Sequence, residues 1–211
     1  MSQHDMEITR ADANTGVAMR AAINEALQAL ASSHGGASAP TKAYADQLWF
    51  DTVEKSFMKR NSGNTTWERA TPVVTLSKSS NQSIAQDVLT KVTFDAIGIN
   101  THNWVSNSRI TPTQKGHYLV YGTLCSYEAT PSTSGNKLMA VCLVLNGNII
   151  IGGGHSMGVS NAKTSDIMAI IPINGSTDYI ECHAYYWGTA GVISGMYAGQ
   201  VSSGFGCMKL F

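Results

Sequence analysis

The chain has 211 residues and a mass of 22.5 kDa, with 14 Lys+Arg balanced by 14 Asp+Glu. Charged residues make up only 13% of it, against roughly 25% in an average soluble domain. A neutral chain without a basic run has no electrostatic means of holding nucleic acid, an anionic bilayer or a polyacidic substrate. Its longest apolar runs, Ala140–Leu145 and Ile167–Ile171, are strand length rather than membrane-spanning.

The Met-Ser-Gln-His start has neither a basic nor an apolar leader segment, so export by the general route is not expected. One helix is predicted, over about 16–32. Asn14 or Thr15 offers a cap, the stretch lacks proline, and Met19, Ile23, Leu27 and Leu30 recur at steps of three and four before His34-Gly35-Gly36 ends the pattern. A four-turn helix is too short to stand alone, so its apolar stripe needs a partner, either its own domain or another copy. Short strands separated by turn formers are predicted over 47–71 as a small β-meander. These elements define an N-terminal module over 1–75. The polar, aperiodic stretch 76–87 is read as a linker.

From residue 88 the period is two. Residues 1–87 carry 17 charged residues and 4 glycines, whereas 88–211 carry 11 and 16. Val88, Thr90, Val92 and Phe94 alternate as a first strand, and Asn146-Gly147 marks a tight turn. About eight strands split by Gly, Asn and Ser turns predict an antiparallel β-sandwich over 88–211, with jelly-roll and immunoglobulin-like forms both open. The expected fold class is thus mainly β, with one helix in a small leading module. So little charge on a domain implies surface hidden in an oligomer, or a neutral hydrogen-bonding face.

Several motifs point to chemistry and are weighed against it. Cys125, Cys142, Cys182 and Cys207 show no C-x-x-C spacing and read as buried hydrophobes. Cys182 and His183 are adjacent, so on a strand they face opposite ways and cannot share an ion; no metal and no cofactor are expected. Gly154-His155-Ser156-Met157-Gly158 matches the nucleophile elbow G-x-S-x-G, with Asp166, Asp178 and His183 following. The elbow needs a strand-to-helix turn, and Val159–Asp166 has no amphipathic pattern. Asp166, Asp178 and Glu181 are the carboxylates available for sugar hydrolysis. No catalytic residue is assigned.

Val92-Thr93-Phe94, Arg109-Ile110-Thr111-Pro112, Gly116-His117-Tyr118, Val144-Leu145-Asn146-Gly147, Asn174–Glu181 and Ser203-Gly204-Phe205 occur in that order. In this the C-terminal part resembles the trimeric jelly roll shared by the complement head and tumour necrosis factor, in the versions found in bacteriophage fibre proteins. The stretches Arg20–Ser32, Ala39-Pro40, Tyr44–Thr52 and Lys59-Arg60-Asn61 with Trp67 resemble the leading module of phage tail or head fibres. The resemblance implies a homotrimer, an N-terminal module that docks to a virion tail or head protein, and an outward head. The short linker leaves no room for a shaft. By the same resemblance Phe94, Tyr118 and Phe205 belong to the core or the threefold contact.

For ligand contact, the aromatic, uncharged segment Tyr185-Tyr186-Trp187 and the loop residues Trp104 and His155 suit stacking on sugars or a protein groove. The resulting expectation is a non-enzymatic phage virion fibre or receptor-binding tip that binds a host cell-surface glycan or protein. It would be made in the bacterial cytoplasm, reside in the virion, and make no contact with nucleic acid and no membrane insertion. A head-fibre or capsid decoration protein of the same fold is the alternative, and a serine hydrolase or polysaccharide depolymerase a third reading.

Overall fold

The computed structural model describes residues 15–31, 34–128, 138–156, 163–188, 190–197, 200–201 and 203–211. The chain divides into two units, Met1–Thr71 and Pro72–Phe211.

In the first unit, α1 runs over Gly16–Ala31, capped by the Thr15 hydroxyl, which accepts from the Ala18 amide at 3.1 Å. Ala22 is buried, while Met19, Ile23, Leu27 and Leu30 are exposed. Among the described residues of its own unit, the apolar stripe therefore stays uncovered. Strands β1 (Leu48–Asp51), β2 (Ser56–Arg60) and β3 (Trp67–Arg69) form an antiparallel meander. Edge-to-face pairs, Trp49 on Trp67 at 5.6 Å and Phe50 on Phe57 at 5.1 Å, hold it.

The second unit is a jelly-roll sandwich. Its strands are β4 (Val73–Ser77), β5 (Gln82–Ile84), β6 (Thr90–Lys91), β7 (Ala96–Asn100), β8 (Val105–Ser106), β9 (Arg109–Ile110), β10 (Gly116–Glu128), β11 (Leu138–Leu145), β12 (Asn148–Ser156), β13 (Lys163–Ile173), β14 (Ile180–Trp187), β15 (Gly191–Ile193), β16 (Met196–Tyr197), β17 (Gln200–Val201) and β18 (Gly204–Lys209). One sheet has the order β5-β15-β10-β18-β4-β7 with β13 beside β10. The other runs β12-β11-β14-β9-β8 with β6 beside β14. The chain crosses between the sheets after β5, β6, β7, β9, β10, β12, β13 and β14, and the sequence-adjacent hairpin β11–β12 stays in one sheet, as a jelly roll requires. That hairpin turns on Asn146 and Gly147, both at positive φ (53° and 81°), the two-residue turn whose twist matches the strands. Between the sheets lies a core that includes Tyr118, Leu124, Met139, Leu143, Ile171 and Tyr186. Among the described residues no helix is long and apolar enough to cross a membrane.

Two expectations are corrected. The supposed linker 76–87 belongs to the sandwich: β4 pairs with β18 and β7, and β5 with β15. Its polar groups are taken up by side-chain bonds to a neighbouring stretch. Gln82 Oε1 accepts from the Thr93 amide at 2.8 Å, its Nε2 donates to the Lys91 carbonyl at 2.9 Å, and buried Lys78 donates Nζ to the Thr93 carbonyl at 2.6 Å. The Asp95 carboxylate accepts from the amides of Ser79 and Ser80 and from the Ser80 hydroxyl. Strand propensity cannot register such bonding, because side chains stand in for part of the backbone ladder. Correspondingly, the expected first strand over Val88–Phe94 reduces to Thr90–Lys91, and the head begins at β4.

Candidate functional site

Along β14 successive side chains alternate between the core and the outer face. Tyr186 points inward, is buried, and donates its hydroxyl to the Val192 carbonyl at 3.1 Å. Tyr185 and Trp187 point outward, and Trp187 is 61% exposed. Of the residues expected to bind ligand, Tyr186 is thus a core residue, and so is Trp104. The Trp104 ring is buried edge-on against Tyr118 at 5.9 Å, with Nε1 donating to Thr113 Oγ1 at 2.9 Å. A loop tryptophan whose only polar atom finds an internal acceptor has no reason to face water. The His155 backbone pairs with Met139 in the β12–β11 hairpin, and its side chain lies outside the described residues. Phe94, Tyr118 and Phe205 are all buried in one chain's sandwich, with Phe94 stacked on Phe205 at 5.7 Å, so they are core.

Register sets out the outer face of the β11 sheet in rows. Directly opposed residues share a face, giving Ile149–Val144–Glu181, then Gly152–Cys142–His183–Lys91, then Gly154–Ala140–Tyr185, then Ser156–Leu138–Trp187. At the Glu181 end lies a cluster that sequence reading missed. Glu181 is only 5% exposed, and three donors converge on it. Arg109 Nε lies 3.0 Å and Lys91 Nζ 3.4 Å from Oε1, and His183 Nε2 lies 3.1 Å from Oε2. The Arg109 guanidinium also stacks over the Tyr179 ring at 3.7 Å. Burial alone pushes the Glu181 carboxyl up. Hydrogen bonds from His183 and Arg109 and the charges of Arg109 and Lys91 outweigh it, so the group sits below its ordinary value and stays ionised. The cluster also braces the sheet, because β6 and β9 are two residues long and Lys91 and Arg109 tie both to β14. The β14 alternation Glu-x-His-x-Tyr-x-Trp was a visible signal. Its partner Arg109, 72 residues away, was not.

The nucleophile candidates do not assemble. Ser156 ends an antiparallel strand instead of a strand-to-helix turn, and its row is two rows from that of His183, about 13 Å along the strand. Asp166 sits on β13 in the other sheet, opposite Thr123. Asp178 is engaged in a turn, accepting from Asn146 Nδ2 at 2.8 Å and from the Asn174 amide at 2.7 Å. Cys142 is opposite His183, but burial pushes its thiol up, which keeps it protonated.

The outer face of the β10 sheet is different. Register places Val73–Met208–Leu119–Ile170 in one row and Ile99–Thr75–Gly206–Tyr121–Met168 in the next. Neither row holds a charge, and Met168 and Ile170 are 62% and 59% exposed. Gly206 lets the Tyr121 ring lie down: a Cβ there would come within 2.8 Å of that ring.

No family model matches the chain, and no curated protein matches it. Among solved structures the chain is similar to murine APRIL at pH 5.0, with 15% identity, a TM-score of 0.47, and coverage of 66% of this chain and 99% of that one. It is similar also to murine APRIL at pH 8.0, with 12% identity, a TM-score of 0.46 and the same coverage.

Proposed function

We propose that the protein is a homotrimeric, non-enzymatic phage virion protein, a fibre or receptor-binding tip. In this reading the first unit docks to a tail or head protein and the jelly-roll head binds a host cell-surface glycan or protein. The observation that carries the assembly is the outer face of the β10 sheet: two adjacent uncharged, largely apolar rows, with Met168 and Ile170 standing in solvent. A contiguous apolar face of this kind marks a protein contact, and in a head so short of charge another copy of this chain is a fitting partner, the face meeting a different patch of its neighbour as closure into a ring of three requires. The count of three and the virion setting come from the sequence resemblance. The first unit adds a second uncovered stripe, Met19, Ile23, Leu27 and Leu30, which fits either virion docking or self-association.

Light scattering on the whole chain tests the assembly, with about three times 22.5 kDa expected. A monomer at micromolar concentration overturns it. Labelling intact virions with antibody against the head tests the location, and absence of label from purified particles overturns that part.

A further inference from the structure

We propose that the outer face of the β11 sheet binds a short oligosaccharide carrying a carboxylate at one end, the acid held by Arg109 and Lys91 and the uncharged rings lying along Tyr185 and Trp187. This rests on reading the head as a surface-binding module and names the class of ligand.

The acidic end is argued from charge. Of the 11 charged residues in 88–211, three, Lys91, Arg109 and Glu181, meet at one point. Two full cations share a single carboxylate there, which leaves an excess of one positive charge. Glu181 is buried, but its partners are not: the Arg109 and Lys91 side chains are 41% and 26% exposed. Among the described residues Arg109 donates Nε to Glu181 and holds Cζ over the Tyr179 ring, so the two terminal nitrogens remain as a donor pair on a side chain that is 41% exposed. A guanidinium fixed by stacking matches the two oxygens of a carboxylate. Lys91 Nζ, already on the Asn107 carbonyl at 3.1 Å, supplies the second positive charge beside it.

The neutral end follows from what stands beside the aromatics. Asp87 lies 3.4 Å from the Tyr185 hydroxyl, so a second acid is repelled there. The rows that hold Tyr185 and His183 also carry Ala140, Cys142, Gly152 and Gly154, which leave a low floor beside the rings. Flat aromatic faces above an uncharged floor suit the apolar face of a pyranose ring. From Glu181 to Trp187 the face runs about 20 Å at roughly 3.4 Å per residue, so one sugar cannot touch both ends. Among the described residues the face offers two partly exposed cations, Lys91 and Arg109, too few to track a phosphate backbone.

Calorimetric titration of the whole trimeric chain tests this with four probes: aldotetraouronic acid (one glucuronate on xylotriose), tetragalacturonate, neutral xylotetraose and free glucuronate. Aldotetraouronic acid is expected to bind at least about tenfold more tightly than xylotetraose, a difference of about 1.4 kcal/mol, and than free glucuronate. Its affinity should fall as salt rises while that of xylotetraose holds. Arg109→Gln and Lys91→Gln should each abolish the acid preference. Arg109→Lys, which keeps the charge without the fork, should restore only part of it. Trp187→Ala should weaken acidic and neutral tetrasaccharides alike. Equal binding of acidic and neutral probes, or an acid preference untouched by salt and by Arg109→Gln, overturns the proposal. If no probe binds a chain that is trimeric and virion-located, the ligand class falls and the head reading stands. If the chain is also monomeric and missing from virions, both fall.

Discussion

The two outer faces of the head are made by the same alternation of strand residues, yet the β10 sheet turns uncharged, largely apolar rows to solvent, whereas the β11 sheet turns out a buried ion cluster and two aromatic rings. In both sheets the inward residues do one job, filling a common core. The outward ones are released from that constraint, so they record what each face meets. Flat apolar rows suit a protein surface of similar shape, whose burial is driven by loss of contact with water. Fixed donors and exposed rings suit a small polar ligand that must be oriented.

The contrast can be broken most completely on the apolar side. Replacing Met168 and Ile170 together by Glu puts charge into both rows and is expected to reduce the particle from about three chain masses to one, read by light scattering, with the sandwich intact by circular dichroism. The same double change should leave any glycan affinity per head within about threefold, because the β11 face lies on the other sheet.

Next in size is Glu181→Gln. It removes the charge that Arg109, Lys91 and His183 share and leaves two cations facing one another. Both partners are partly solvated, so the expected loss is about 1–3 kcal/mol by urea unfolding, below that of a fully buried pair. A comparable loss, about 1–3 kcal/mol, is expected for Gly206→Ala, since the added Cβ would run into the Val74 carbonyl and meet the Tyr121 ring at 2.8 Å. Gly152→Ala, on the other face, meets Cys142 Sγ at 3.4 Å and the Val141 carbonyl at 3.9 Å and should stay within about 0.5 kcal/mol. Equal costs at the two glycines would mean that Tyr121 does not rest on Gly206.

The pH response is smaller and sharpens the same contrast. The Glu181 and Asp95 carboxyls are both held below their ordinary values. For Glu181 hydrogen bonds and charges outweigh burial, and for Asp95 the Ser80 hydroxyl and the neighbouring amides are the cause. Unfolded carboxyls titrate near 4, so between the folded and unfolded values the unfolded chain binds more protons. Their stabilisation is therefore complete above about pH 5 and is lost as pH falls through the folded values. Urea midpoints should be flat from about pH 5 to 7 and decline below, with a shallower decline in Glu181→Gln. An unchanged acid slope in that variant would show that Glu181 is not depressed. The smallest expected effect is that of Trp187→Ala on stability, within about 0.5 kcal/mol for so exposed a ring.

Much of the fold was legible because it is local. The stretch from Val17 to Leu30 reads as a helix from its 3–4 spacing, and the structure has α1 there. Asn146-Gly147 reads as a hairpin because both positions need positive φ. The candidate site was legible in part. Tyr185 and Trp187 do stand outward on β14, but Tyr186 between them and Trp104 in its loop are buried, since a string of aromatics does not tell which of them has an internal acceptor.

By itself, then, the sequence determined the local periods, the tight turn, the shortage of charge in the head and its mainly β character. These depend on residues a few positions apart and on backbone geometry that each side chain restricts for itself. Only the tertiary structure decided that the polar stretch after Pro72 contributes strands, because its bonds go to side chains and carbonyls around Lys91–Asp95. Likewise only the fold brought Lys91 and Arg109 onto Glu181, and separated an apolar sheet face from an ionic and aromatic one. Pairing across 72 residues is a property of which strands become neighbours, and no short-range pattern carries that information.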